Sequence, residues 1–150
     1  MKIETANAAS LKNSVRQSQR PFVMVSFYSV EWAESATEIP ELVALQNAEN
    51  PQVEVFLVSL DGPETGTDSL ARFLHPMGVD FRTFVSDRKG QGLIDSMVAN
   101  WTGVTPANLF YDSNSKSGAT PPQMMGLYES FEVEMLINQS RKHEVIQSEK

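Results

Sequence analysis

FVMVSFYSVEWAESATEIPELVAL, residues 22 to 45, decides how this chain is read. Phe22 to Tyr28 is almost wholly apolar, the pattern of a strand covered on both faces and therefore central in its sheet. A short polar crossing follows. From about Ala33 to Asn47, Ala36, Ile39, Val43 and Gln46 fall roughly in line, with Leu42 and Leu45 beside them, so the stretch predicts an amphipathic helix. Pro40 removes one backbone donor from that helix and is expected to bend it.

Working outward, Val53 to Leu60 (VEVFLVSL) reads as a second buried strand closed by the turn signal Asp61-Gly62-Pro63. Strand, helix and strand make a βαβ unit, so the two strands are expected to be parallel. Upstream, Ala8, Leu11 and Val15 recur at helical spacing, and the whole stretch from Ile3 to Gln19 is read as one amphipathic helix. Downstream, Thr67 is placed to cap a helix running to about Met77 and ended by Gly78. Phe81 to Val85 reads as a short strand and Gly92 to Trp101 as a helical stretch. Asp112 to Thr120 has the composition of a hairpin loop, with Gln123 to Tyr128 as the returning strand. A last helix is expected from Phe131 to about Arg141, and the polar tail from Lys142 to Lys150 is expected to fray.

Bulk properties narrow the classes of function. With 150 residues, 41% of them hydrophobic, the chain is long enough to enclose one core of its own, and one domain is expected over its full length. The formal charge of −7 argues against nucleic acid or an anionic membrane surface as the main partner, because both reward clustered Lys and Arg. There is no cysteine, so disulfides and thiolate metal sites are excluded, although the redox compartment is left open. No apolar run reaches the length of a membrane span or of a signal-peptide core. The expectation is a cytoplasmic chain if its N-terminus is native, or a periplasmic or extracytoplasmic one if a leader was removed.

The order of these features resembles the thioredoxin-like proteins, most closely the TlpA/ResA branch. There a strand ending in Phe-Trp runs into Cys-x-x-Cys at a helix N-terminus and reaches Met-Pro-Glu-Leu. Laid over that pattern without a gap, Phe27 and Tyr28 match the aromatic pair, Pro40-Glu41-Leu42 match Pro-Glu-Leu, and the cysteine positions fall on Trp32 and Ser35. A second register, with one residue inserted upstream, puts Ala33 and Ala36 there instead. Leu70 to Leu74, then Val79-Asp80-Phe81 and Phe84, then a short helix and Gly103-Val104, resemble the βα insert of that branch. Pro106 matches the family's cis-proline, which faces the cysteine pair. The resemblance spans roughly Leu11 to Asn138. It implies an α/β, thioredoxin-like fold: a central mixed sheet flanked by helices, with the TlpA-type insert.

It implies no retained redox chemistry. Thiol-disulfide exchange needs one thiolate to attack and a second sulfur to resolve the mixed disulfide, and an indole beside a hydroxyl supplies neither. Ser26 stands where plain thioredoxins carry a buried carboxylate, and is expected to make a local hydrogen bond. Glu31 and Glu34 at a helix N-terminus are explained by the macrodipole. Ser35 as a nucleophile lacks a base, since His75 and His143 lie elsewhere in the sequence. Asp61, Asp87 and Asp112 sit at turn signals, where Asp bonds its own backbone. Catalytic residues, metal ligands and cofactors are therefore expected to be none. What the resemblance leaves is a surface on which the family holds an extended polypeptide. Here Tyr28, Glu31, Trp32, Ala33, Ser35, Thr105 and Pro106 would form it, and a protein or peptide partner is expected. The alternatives are a structural or oligomerisation subunit that binds through the insert, and a non-redox enzyme.

Overall fold

The computed structural model describes residues 1–49, 51–98, 107–126 and 128–148, with side chains through 142 apart from that of 107. The chain begins with a strand, β1 (Ile3–Ala6), and not with the helix expected from Ile3. The stripe of Ala8, Leu11 and Val15 does form a helix, α1 (Ala8–Gln17), but Asn7 fixes where it starts. Asn7 Oδ1 accepts from the Ser10 amide at 2.9 Å, and the Asn7 amide donates to Ser10 Oγ at 3.0 Å. This reciprocal cap ends the extended backbone and leaves the four residues before it to pair in the sheet.

β2 (Phe22–Tyr28) is buried along its whole length, and β3 (Val53–Ser59) lies parallel to it from Phe22↔Val53 to Tyr28↔Ser59. Between them runs α2 (Ala33–Gln46), which continues through Pro40. Its buried stripe is Ser35, Glu38, Ile39, Leu42 and Gln46, rotated from the expected one. After a short 3-10 turn, α3 (Thr67–Leu74) starts with Gly66, not Thr67, in the capping position, and Gly78 ends the 3-10 extension His75–Met77 in a left-handed conformation. β4 (Thr83–Ser86) then inserts between β3 and β1. Arg82 closes that edge by bonding the Glu4 carboxylate and covering the Phe84 ring at 4.8 Å.

α4 (Gly92–Met97) leads toward β5 (Ala107–Tyr111), which is antiparallel to β2. The expected hairpin loop contains one helical turn, α5 (Ser113–Lys116), capped reciprocally by Asp112 and Ser115 in the same way as α1. β6 (Gln123–Met125) pairs antiparallel with β5, and α6 (Ser130–Ser148) continues through most of the segment expected to fray. Among the described residues the sheet order is β1-β4-β3-β2-β5-β6, in which β5 alone runs against the other strands.

The alternation of β2 divides the core. Val23, Val25 and Phe27 face the layer holding α1 and α4, with Leu11, Val15, Leu93 and Ile94. Phe22, Met24 and Tyr28 face the layer holding α2, α3 and α6, with Ile39, Leu42, Leu74 and Val133. Each large side chain fully buried in this way contributes roughly 1.5–3 kcal/mol, which is why both faces of β2 read as apolar in sequence.

Candidate functional site

The carboxyl ends of β2 and β3 carry the segment that joins β2 to α2, and Asp61 holds it there. Its Oδ1 accepts from the Ser29 hydroxyl at 2.7 Å, and its Oδ2 accepts from the Val30 amide at 3.0 Å and the Ser59 hydroxyl at 3.0 Å. Ser29 Oγ in turn accepts from the Glu31 amide at 3.1 Å. One carboxylate thus satisfies three donors from two strand ends, which fixes the entry into α2. The following residue, Gly62, has φ +81°, and a Cβ there would meet the Lys89 backbone nitrogen at 2.9 Å. Only glycine allows that approach.

On this frame the expected site residues separate into two groups. Trp32 occupies the capping position of α2 without a side-chain cap; it is half-buried and packs against the core on the α1 and α4 side. Glu31 and Ala33 beside it are exposed, and Val30 is 38% exposed. Tyr28 and Ser35, in contrast, are each only 2% exposed, so their side chains do not line an open groove as expected. Tyr28 stacks on Phe73 with ring centroids 6.1 Å apart, and burial, followed by the negative charge of Asp61, pushes its pKa up. Ser35 Oγ donates to the Ser29 carbonyl at 2.9 Å, so the hydroxyl ties the helix to the crossing. Thr105 and Pro106, including the proline's expected cis form, lie outside the described residues.

A carboxyl that the sequence pattern does not single out lies one turn further along α2. Glu38 is 5% exposed, and its Oε1 accepts from Asn108 Nδ2 at 2.7 Å. Asn108, fully buried on β5, also donates to the Gly126 carbonyl at 2.6 Å, which orients its amide. Glu38 Oε2 and Asn108 Oδ1 are left without a partner among the described residues. Burial raises the Glu38 pKa, opposed by the Asn108 amide and the Tyr128 backbone; the charge of Glu41 raises it further, and the Ser26 hydroxyl lowers it. The available signal was spacing: Ser35, Glu38, Ile39 and Leu42 form an i, i+3, i+4, i+7 stripe.

For chemistry, His75, the histidine whose side chain is described, is exposed in the 3-10 turn after α3. Among the described residues no group of three or more His, Asp or Glu side chains is placed to share a metal ion. No described helix is long and apolar enough to cross a membrane.

No protein-family model and no curated protein sequence matches the chain. Solved structures do. A thioredoxin-related protein from Neisseria meningitidis serogroup B superposes with a TM-score of 0.63 at 13% identity, over 85% of this chain and 90% of that one. A thiol-disulfide isomerase from Corynebacterium glutamicum gives 0.56 at 14%, over 85% and 83%. A secreted Mycobacterium tuberculosis disulfide oxidoreductase homologous to E. coli DsbE gives 0.53 at 17%, over 75% and 77%. The expected α/β, thioredoxin-like architecture agrees with these matches. The chain has a thioredoxin-like fold that contains no cysteine with which to carry out thiol-disulfide exchange.

Proposed function

We propose that this domain is a redox-inactive binding module that holds an extended peptide segment of a protein partner at the N-terminus of α2, with Trp32 as the anchor. The observation that carries this reading is the placement of Trp32: an aromatic held by the core on one side, in the capping position, with exposed Val30, Glu31 and Ala33 around it. Half-buried tryptophans supply large contact area at low entropic cost and dominate many interfaces. The Asp61 bonds pre-organise the crossing, so little ordering remains to oppose binding.

Peptides selected from a displayed random library against the wild-type protein test this. Trp32→Ala is expected to weaken the selected peptides by about 30-fold, the loss of roughly 2 kcal/mol typical of an anchor residue, with only a small fall in Tm. A variant that loses stability but binds the same peptides unchanged shows Trp32 to be a core residue only, and removes the reading.

A second reading, a structural or oligomerisation subunit, is favoured by Met124 (44% exposed), Phe131 (70%) and Met135 (44%) on and beside the edge strand β6. The insert is less suited to that role, because its Phe84, Val85, Leu93 and Ile94 are buried. Sedimentation velocity at micromolar concentration separates the two: this reading expects a dimer, and a single monomer boundary excludes it.

A further inference from the structure

At the other end of β2, about five residues and therefore roughly 17 Å from the Trp32 crossing, a cavity of about 360 Å³ opens between α1, the end of α4, the end of β5 and the loop leading to β6. Three cations line it: Lys12 and Arg16, one turn apart on α1, and Lys116 on α5. Among the described residues no Asp or Glu lines it, although the chain carries a net charge of −7 and the charge of Glu54 acts on Lys116 from outside the lining. Lys12 and Arg16 form no ion pair or hydrogen bond among the described residues. Like charges spaced i, i+4 on a helix repel by a few tenths of a kcal/mol, which offsets part of what Arg16 gains in the last turn of α1.

The remaining walls supply both an apolar body and a fixed donor. Val15 and Met97 are buried at the base, and Tyr111, 5% exposed, lines the cavity with a hydroxyl that has no hydrogen-bond partner among the described residues. Burial pushes the Tyr111 pKa up to about 12, so the hydroxyl remains a donor at physiological pH. Lys116 is locked in position: its Nζ donates to the Ser18 carbonyl at 3.0 Å and the Arg20 carbonyl at 2.6 Å. An ammonium has three donors, so one is left for a ligand.

We propose that this cavity binds a small amphipathic anion, a carboxylate or phosphate monoester on a compact apolar body, with Lys12, Arg16 and Lys116 facing the charge and Val15, Met97 and Tyr111 enclosing the body. The volume and the mixture of apolar lining with a few convergent polar groups are those of small-molecule sites. This inference is independent of the peptide-binding reading, since the two sites share no residue.

Amide NMR titration of the full chain with octanoate and with octyl phosphate tests it. Either compound is expected to give saturable shifts at Lys12, Val15, Tyr111 and Gly118, and the tighter of the two identifies the head group. Octanol, which lacks the charge, and inorganic phosphate, which lacks the body, are expected to bind at least tenfold more weakly. Lys12→Glu with Arg16→Glu, both at exposed positions, is expected to weaken the better ligand at least tenfold. Lys12→Gln with Arg16→Gln serves the same purpose if charge reversal disturbs folding. Shifts that do not saturate, octanol binding as well as octanoate, or undiminished affinity in the double variant each overturn the proposal.

Discussion

Asp61→Ala is expected to lower the stability of this protein by about 3 kcal/mol, and to loosen the crossing that presents Trp32. The substitution leaves the Ser29 hydroxyl, the Val30 amide and the Ser59 hydroxyl without their shared acceptor. Hydrogen bonds to a charged group contribute roughly 1.5–3 kcal/mol each. Asp61 is partly accessible to solvent, so water replaces some of them and the sum stays well below three full bonds. At this chain length the loss corresponds to a fall in Tm of about 9 °C. Asp61→Asn retains one acceptor oxygen and should lose about half as much. Hydrogen exchange at Val30 localises the effect, because its amide is bonded to Asp61 itself and should exchange faster in the alanine variant at a temperature where both proteins are folded. A Tm within one degree of wild type, with Val30 equally protected, would show that the carboxylate does not hold the crossing.

The centre of this fold was legible in the residues because burial there leaves an unambiguous mark. β2 and β3 are largely apolar on both faces, and a seven-residue segment of that kind closed by Asp61-Gly62-Pro63 suits a central strand far better than a helix of that length. Edges leave a weaker mark. β1 has four residues and mixed burial, so the strong stripe of α1 absorbed it in the helical reading. Its boundary was nevertheless written in Asn7 and Ser10, the same cap pattern that Asp112 and Ser115 place inside the supposed hairpin loop. The site was legible in outline only. Trp32 and Ser35 fall at the start of α2 as read, but Ser35 is enclosed by its own bond to Ser29, which no residue count anticipates. Glu38 escaped notice because a glutamate in an amphipathic helix is ordinarily solvated. Its partner Asn108 lies 70 residues away on β5, so only the antiparallel pairing of β5 with β2 brings the two together.

That buried pair makes stability depend on pH with a sign opposite to the one usual for acidic side chains. A carboxyl paired with a cation gains stability when ionised; Glu4 beside Arg82 is one, with its pKa lowered chiefly by that bond. Glu38 has its pKa raised above the ordinary 4.5, with burial as the largest cause. The folded state therefore holds this proton more tightly than the unfolded chain does. The contribution of Glu38 is fully present below the unfolded value and is lost as pH rises through the folded one, because the unfolded state then binds fewer protons than the native state. Chemically, a proton on Oε2 turns one of the two unpartnered acceptors into a donor, and Asn108 Oδ1 is an unpartnered acceptor on the side chain to which Glu38 is already bonded. Glu38→Gln builds that donor in permanently: its carbonyl accepts from Asn108 Nδ2 and its amide has protons to give. The variant is expected to match wild type below the ordinary carboxyl value and to melt higher than wild type once pH has risen above it. In a chain of this length 1 kcal/mol moves Tm by about 3 °C, so the divergence can be read from a series of thermal melts. Asn108→Leu is the opposing control. It removes the donor shared by Glu38 and the Gly126 carbonyl, leaves the buried Glu38 carboxyl without it, and should destabilise at every pH, by roughly 1–3 kcal/mol given the desolvation cost of an orphaned polar group. Parallel melting curves for wild type and Glu38→Gln across the whole range would mean that Glu38 binds its proton equally tightly in the folded and unfolded states, and would remove the carboxyl from any account of how this scaffold responds to pH.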